Sequence, residues 1–168
     1  MFLYVPEILA QTDHQHLLDE LSGQPFSDEN NRMAPGRLRT YIMPGSRAHT
    51  IFTSPELMKY LSFVFDTPLV HGADQIPIEY RKYPPGSGGM HWHRDTCLIG
   101  RQYECVYTLT NSTTSYTQYR DILGKVHSVW AEPNSLIVVQ AGGVEHAVTP
   151  VTTGERTILK FVCLKASP

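Results

Sequence analysis

The chain has 168 residues, of which 41% are hydrophobic and 18% are charged; this composition predicts a single folded domain over residues 1–168 and excludes a disordered, collagen-like or coiled-coil protein. Fourteen lysines and arginines against sixteen aspartates and glutamates give a formal net charge of −2, so no basic excess indicates a nucleic-acid or membrane partner. No apolar stretch approaches the roughly 18 residues that cross a bilayer, and three cysteines without CxxC spacing are typical of reduced thiols, so we expect a cytoplasmic protein.

Two helices are predicted in the N-terminal part of the chain. Thr12 and Gln15 have the spacing of a capping box, and Gly23 ends the apolar stripe that follows. A second helix begins with Ser54 as its N-cap, has a proline at its first position and continues at helical spacing to Asp66. Both helices are expected to pack outside the core.

The segment between these helices, Asn30 to Thr50, is rich in arginine. It carries four arginines, two glycines and two prolines but no acidic residue, and it contains one strand candidate, RLRTYIM at 37–43. Long loops in compact domains often bind ligands. The segment is therefore predicted to be a loop that either binds an anionic substrate group or is simply a solvated basic surface.

From Ile76 onward the pattern changes to short runs rich in Val, Ile, Thr and Tyr, separated by turn residues. The seven strand candidates are 76–83, 90–95, 103–110, 125–130, 135–140, 146–151 and 156–164. The fold class is predicted to be mainly β with flanking helices, namely a double-stranded β-helix (jelly roll) barrel with the N-terminal helices packed outside. Residues 1–75 then form supporting helices and a loop, and residues 76–165 form the β-barrel core.

The motif MHWHRDT is the strongest local signal of a metal site. His91, His93 and Asp95 alternate, so in an extended strand all three side chains point to one face. Groups of this kind are costly to bury unless a metal ion binds them. His146, just after an Ala-Gly-Gly turn, is the best candidate for a ligand from another strand. Two histidines and one carboxylate leave open coordination positions, as in non-haem Fe(II) enzymes.

Arg156 lies ten residues after His146, beyond a TTGE turn. A strand that pairs back across this turn would carry the guanidinium into the barrel, where its planar fork suits a carboxylate ligand. An ion pair with Glu155, or a position on the surface, is the alternative.

Taken together, these residues resemble the Fe(II)- and 2-oxoglutarate-dependent dioxygenases, and within them the prolyl-hydroxylase-like branch. The resemblance rests on the HRD sequence at 93–95, on the distal His146, and on the pattern HxxxPVxxGxR over 146–156. It covers roughly 78–164, about half of the chain.

The resemblance implies a role for each matching residue. His93, Asp95 and His146 would be the catalytic iron ligands, and Arg156 would bind the distal carboxylate of 2-oxoglutarate. Tyr83, ten residues before His93, would line the co-substrate pocket, and a hydroxyl such as that of Thr108 would assist the arginine. The implied cofactors are Fe(II), 2-oxoglutarate as co-substrate and O₂, with ascorbate as reductant. The implied reaction hydroxylates an unactivated C–H bond of a prolyl, peptidyl or small amino-acid-like substrate and releases succinate and CO₂.

The sequence departs from the family pattern at three positions. His91 creates an HxH pair, so either HxH or HxD can supply the ligands. Many prolyl hydroxylases have lysine where Arg156 stands. The nucleic-acid demethylases carry a second arginine six residues later, where this chain has Val162, so no nucleic-acid partner is expected. The expected partners are a small-molecule or peptidyl substrate, with no membrane, and the protein is a monomer or homodimer.

Substrate contacts are expected from the basic loop and from the Gly-rich turn at 84–89. The candidate residues are Arg37, Arg39, His91, Trp92 and Trp130.

Three other functions fit parts of the pattern. A cupin-like metalloprotein would bind metal through His91, His93 and His146 without 2-oxoglutarate, but the usual cupin glutamate is missing. A metallo-hydrolase of the HxHxDH type would need histidine at Thr96. A non-catalytic module could hold a carboxylate metabolite without using open iron positions.

Overall fold

A computed structural model describes residues 1–166 as three helices and twelve strands. In chain order the elements are β1 (Phe2–Val5), α1 (Gln11–Leu21), β2 (Ser27–Asp28), β3 (Leu38–Tyr41), α2 (Arg47–Phe52), α3 (Pro55–Val64), β4 (Leu69–His71), β5 (Glu79–Tyr83), β6 (Met90–His93), β7 (Gln102–Asn111), β8 (Thr117–Arg120), β9 (Val126–Val129), β10 (Ser135–Gln140), β11 (His146–Val148) and β12 (Arg156–Lys165). No helix in these residues is both long and apolar enough to span a bilayer.

The predicted cap of α3 is confirmed. The Ser54 hydroxyl accepts a hydrogen bond from the Leu57 amide at 3.2 Å, and proline stands at the first helical position. The helix ends at Val64 rather than at Asp66, because the backbone of Asp66 turns to a positive φ of 45°.

The capping box predicted for α1 is wrong. The helix already begins at Gln11, after Ala10, and no side chain caps it; Thr12 is therefore inside the first turn. The predicted arginine-rich loop contains a helix, α2, that we did not expect. Its N-cap is Ser46, whose hydroxyl accepts from the His49 amide at 3.2 Å.

The strands form two sheets. The large sheet has the order β1-β10-β7-β12-β5-β3-β2, with β4 also paired to β12, and the small sheet has the order β6-β11-β8-β9. The predicted jelly-roll fold is confirmed, but in residues 1–166 the two sheets stay separate and do not join into a closed barrel, since each has its own edge strands. The first 75 residues contribute β1, β2, β3 and β4 to the large sheet as well as the three helices.

The central strand β12 separates the hydrophobic core from the site. Leu159, Phe161 and Cys163 belong to the main core, where the Phe161 ring lies 4.9 Å from that of Phe52 in α2. Residues of the other parity, Arg156, Ile158 and Lys160, line a cavity on the opposite side of the sheet. Because successive side chains of a strand point to opposite faces, one face of β12 packs against the helices and the other lines the cavity.

Candidate metal centre and the cavity beside it

His93, Asp95 and His146 come together at one end of the small sheet. Their potential ligand atoms all lie within 4.8 Å of one another. His93 and His146 are direct partners across β6 and β11, and Asp95 follows the end of β6, where its carbonyl accepts from the Gly142 amide at 2.8 Å. The Asp95 carboxylate oxygens lie 3.5 Å from His93 Nε2 and 3.4 Å from His146 Nε2.

Backbone carbonyls orient both imidazoles. The Nδ1 of His93 lies 2.8 Å from the carbonyl of His91, and the Nδ1 of His146 lies 3.3 Å from that of Val144. When Nδ1 carries the proton for these bonds, Nε2 keeps its lone pair free for a metal.

The remaining atoms of the cluster fit a divalent cation. His93 Nε2 and Asp95 Oδ2 are buried and have no hydrogen-bond partner within residues 1–166. Burial raises the pKa of Asp95, but contact with His93 and the charges of His146 and Lys160 outweigh this, so its pKa falls below the usual value. Asp95 is therefore ionised at neutral pH, as a metal ligand must be.

His91 lies outside this cluster because β6 contains an extra residue. Between the pairs His146↔His93 and Val148↔Met90, β11 advances two residues and β6 advances three. This is the pattern of a β-bulge, which breaks strict alternation. Met90 and His93 consequently line the same cavity, whereas His91 is exposed. The predicted alignment of His91 with His93 and Asp95 on one face is wrong, and the geometry favours HxD over HxH.

Arg156 is a buried cation, 2% exposed, at the start of β12. Its Nη1 donates to Thr117 Oγ1 at 3.1 Å and its Nη2 to Thr108 Oγ1 at 3.4 Å, while its Nε is buried without a partner in the described chain. Burial lowers its pKa. Glu155, its possible ion-pair partner, binds Lys82 instead, at 2.7 Å. A buried guanidinium without a counter-ion suits an anionic ligand.

Tyr83 lines the cavity and is hydrogen-bonded to Arg37. Tyr83 is the register partner of Arg156 and is 2% exposed. Arg37 is 1% exposed; its Nη1 donates to the Tyr83 hydroxyl at 3.0 Å, and its Nε and Nη2 donate to Glu29 at 2.5 and 2.7 Å. Arg37 was expected to meet substrate, but its donors are occupied inside the protein. Glu29 lies immediately before the basic loop at 30–50, which itself contains no acidic residue.

The carboxylate of Glu29 is held in its ionised form. Burial raises its pKa, but hydrogen bonds from Arg37 and the charges of Arg37 and Arg81 lower it to about 2. Arg39 is 29% exposed and pairs with Glu79 at 3.2 Å, so it too is already engaged.

The two tryptophans do not line the cavity. Trp92 stacks under Arg120, whose Cζ lies 4.5 Å from the ring centre. Trp130 donates from Nε1 to the carbonyl of Thr113 at 2.9 Å. Both were expected to wall the pocket.

The Gly-rich turn at 84–89 is tied to its neighbours rather than open. The amide of Gly86 donates to Val151 at 2.8 Å, and that of Gly88 donates to Pro35 at 2.9 Å. Gly89 has a φ of 74°, and a Cβ there would lie 2.2 Å from the Val148 carbonyl oxygen. Only glycine fits this contact between the turn and β11.

The cavity contains the metal cluster, Tyr83 and Arg156. It is also lined by four charged or polar residues that the sequence motifs did not indicate. The newly found lining residues are Arg81, Glu104, Thr117 and Lys160. Lys160 could have been predicted, because it is four residues after Arg156 in the same strand and therefore lies on the same face. The others depend on strand register, which no local pattern shows.

No protein-family model and no curated protein sequence matches the chain. Solved structures do resemble it. A prolyl-4-hydroxylase from Pseudomonas putida has 16% identity and a TM-score of 0.76, covering 99% of this chain and 93% of its own. An oxidoreductase of the 2OG-Fe(II) oxygenase family from Burkholderia pseudomallei has 11% identity and a TM-score of 0.80, over 99% and 86%.

A third structure, HygX from Streptomyces hygroscopicus with nickel and 2-oxoglutarate bound, has 11% identity and a TM-score of 0.74, over 98% of this chain and 83% of that one. Identities this low show the shared fold alone. The chain therefore has the jelly-roll fold of the 2-oxoglutarate- and Fe(II)-dependent oxygenases, as its motifs predicted.

Proposed function

We propose that the protein is an Fe(II)- and 2-oxoglutarate-dependent oxygenase that hydroxylates an unactivated C–H bond of a prolyl, peptidyl or small amino-acid-like substrate and releases succinate and CO₂. One observation carries the proposal. The unpartnered ligand atoms of His93 and Asp95, with His146 beside them, line the same cavity as Arg156, a buried cation without a counter-ion. A metal and a dicarboxylate thus have complementary places in one cavity.

His93, Asp95 and His146 would hold Fe(II) on one face and leave its other positions open. The bound Fe(II), with O₂ and 2-oxoglutarate, supplies the oxidising power for the hydroxylation, and ascorbate serves as reductant. Arg156 would bind the distal carboxylate of 2-oxoglutarate. Thr108 and Thr117 accept hydrogen bonds from its guanidinium and so fix the direction in which its remaining donors point.

The protein also keeps the site dry. Apolar side chains from three strands line the cavity between Arg156 and the metal cluster, namely Val106, Ile137, Val139 and Ile158. In such surroundings the charge-assisted hydrogen bonds of Arg156 are stronger than in water.

The first test is an anaerobic titration of the metal-free protein with Fe(II) and then 2-oxoglutarate. Chelated 2-oxoglutarate is expected to give a weak visible charge-transfer band. His146→Ala should abolish the band, and Arg156→Met should require at least about 30-fold more 2-oxoglutarate, because a charged hydrogen-bond pair contributes about 2 kcal/mol or more. Lys59→Ala, an exposed position on α3, is the control and should behave as wild type.

Turnover is tested by O₂ consumption and succinate formation with 2-oxoglutarate. A cupin-like protein or a metabolite-binding module would show neither, even with iron bound. The exposed position of His91, outside the cluster, supports the HxD ligand set over the cupin-like set, which needs His91 as its third histidine.

The substrate class and setting are also part of the proposal. The similarity to a prolyl-4-hydroxylase supports a prolyl or related substrate. We place the enzyme in the cytoplasm, where its free cysteines, Cys97, Cys105 and Cys163, remain reduced.

A further inference from the structure

Besides Arg156, the cavity is lined by three charged residues outside the metal cluster, Arg81, Glu104 and Lys160, which we call the charged wall. Lys160 faces the cavity four residues after Arg156, which corresponds to about 13 Å along an extended strand. A five-carbon diacid bound by Arg156 through one end and by the metal through the other does not need this region. Lys160 is therefore not required for binding of this diacid.

Arg81 on β5 is the neighbour of Lys160 on this wall. Arg81 pairs with Ile158 across the β5–β12 ladder, and Lys160 pairs with Glu79. Arg81 and Lys160 are thus diagonal neighbours, and both line the cavity. Long side chains in such a diagonal pair can reach a common ligand.

Both cations are ion-paired with acidic residues. Lys160 Nζ lies 2.7 Å from Glu104 Oε2, and Gln102 donates to the other oxygen of Glu104. Arg81 is paired with Glu79 and lies 3.9 Å from Glu29, and neither acid is among the residues that line the cavity. Two cations and one anion of the wall thus face the cavity, while Glu79 and Glu29 balance the charge of Arg81 from outside it.

The two cations are mostly buried, and Arg81 retains an unused donor. Their side chains are 14% exposed for Arg81 and 17% for Lys160. Arg81 Nε is buried and has no hydrogen-bond partner in residues 1–166. Buried donors without partners cost free energy unless a ligand binds them.

The wall adjoins the metal cluster, since His93, Asp95 and His146 line the same cavity. A group bound to Lys160 and Arg81 would therefore share the cavity with the metal, at a part of its wall separate from Arg156. This is the position of the molecule to be oxidised.

We propose that Arg81 and Lys160 bind a carboxylate of the primary substrate, which is then a small organic acid, such as an amino acid with a free carboxylate, rather than a neutral molecule. The proposal rests on the function proposed above. It assigns the wall to the substrate and Arg156 to 2-oxoglutarate.

Acetate is the probe for this site. Its methyl group is followed by saturation-transfer NMR in the anaerobic Fe(II)·2-oxoglutarate enzyme, with the charge-transfer band recorded in the same sample. Saturable binding is expected at millimolar concentration, and the acetate signal should broaden more with Fe(II) than with diamagnetic Zn(II), because the probe lies near the metal. The band should keep its intensity, since acetate displaces neither 2-oxoglutarate nor a metal ligand.

Variants assign the binding to the two cations. Arg81→Met and the double change Lys160→Met/Glu104→Gln, which avoids leaving a buried charge unpaired, should each weaken acetate binding at least about 10-fold. The affinity for 2-oxoglutarate should change less than about twofold. Glu104→Gln alone should keep or tighten acetate binding, because it removes the competing anion. Lys82→Met is the matched control: Lys82 adjoins Arg81 on β5 and is ion-paired, but it does not line the cavity.

Three results would overturn the proposal: no saturable acetate binding, binding that survives in both cavity variants, or equal weakening of acetate and 2-oxoglutarate binding. Absence of the band in wild type would instead contradict the proposed function, and the saturation-transfer signal would still report on the carboxylate site.

Discussion

Arg37 donates a hydrogen bond to the hydroxyl oxygen of Tyr83 at 3.0 Å, from a position that is 1% exposed. A guanidinium has no acceptor, so the phenol proton is not used in this contact. No other partner of this hydroxyl is found in the described residues. The Tyr83 hydroxyl thus keeps its proton free to donate a hydrogen bond, and Tyr83 lines the cavity where we propose that 2-oxoglutarate binds.

Removal of the Tyr83 hydroxyl is expected to weaken 2-oxoglutarate binding. Tyr83→Phe should raise the dissociation constant about 10-fold, in line with about 1.5 kcal/mol for a hydrogen bond to a charged group. The measurement is a titration of the charge-transfer band. Tyr80→Phe is the control, because Tyr80 faces the core and packs on Phe26. Equal dissociation constants for Tyr83→Phe and wild type would show that the hydroxyl does not reach the ligand.

The Glu29 carboxylate is expected to make stability depend on acid pH. Its pKa falls from 4.5 to about 2 on folding, so its contribution is complete above pH 4.5 and is lost as the pH falls toward 2. Over that window wild type should lose up to about 3 kcal/mol that Glu29→Gln does not lose. Urea unfolding of both proteins at several pH values gives the comparison, and parallel pH profiles would contradict the assignment.

Thr117 and Thr108 are expected to affect 2-oxoglutarate binding unequally. Thr117 accepts from Arg156 at 3.1 Å and Thr108 at 3.4 Å, and the shorter bond is the stronger one. Thr117→Val should raise the dissociation constant about fivefold, the effect of about 1 kcal/mol, and Thr108→Val should raise it less. Iron affinity should stay constant in both variants; the reverse order would mean that the arginine reorients when the ligand binds.

The choice between HxD and HxH ligands is open to direct test. Asp95→Asn should lower Fe(II) affinity at least about 10-fold, whereas His91→Ala should leave it unchanged, because His91 is exposed and outside the cluster. Equilibrium competition with a chelator measures both affinities. Weak binding by His91→Ala would restore the cupin-like ligand set.

Gly89 is expected to tolerate no side chain. Gly89→Ala would place a Cβ 2.2 Å from one carbonyl oxygen of β11 at a φ of 74°, and it should cost at least about 3 kcal/mol of unfolding free energy. Gly86→Ala, in the same turn, also has a positive φ but meets no atom within 4 Å, so it should cost only about 1 kcal/mol. Thermal unfolding of the pair separates the steric collision from the conformational penalty.

The sequence predicted the site best where residues with metal- or carboxylate-binding side chains occur at the spacing of a β-strand. His93, Asp95, His146 and Arg156 could be selected because ligand types, spacing and a known motif agree, and the structure brings all four to one cavity. The cap of α3 was equally clear, since Ser54 and the following proline act locally.

The failures come from information that is not local. Arg37 was predicted to contact substrate because its partner, Glu29, is eight residues away and lies outside the basic loop at 30–50. The strands β1, β4 and β8 are short, and they gain stability from the ladders that they join rather than from their own pattern. Thr117 reaches Arg156 only because the two sheets face each other.

The bulge in β6 determines which side chains of that strand face the metal site. If either His91 or Trp92 were deleted, β6 would pair regularly with β11 and gain a continuous ladder. The same deletion would leave Met90 and His93 two residues apart, so both could still face the cavity. With all its residues present but without the bulge, the strand would instead turn Met90 away and place His91 on the face that His93 occupies. The extra residue therefore keeps a third imidazole away from the metal cluster while Met90 and His93 share one cavity.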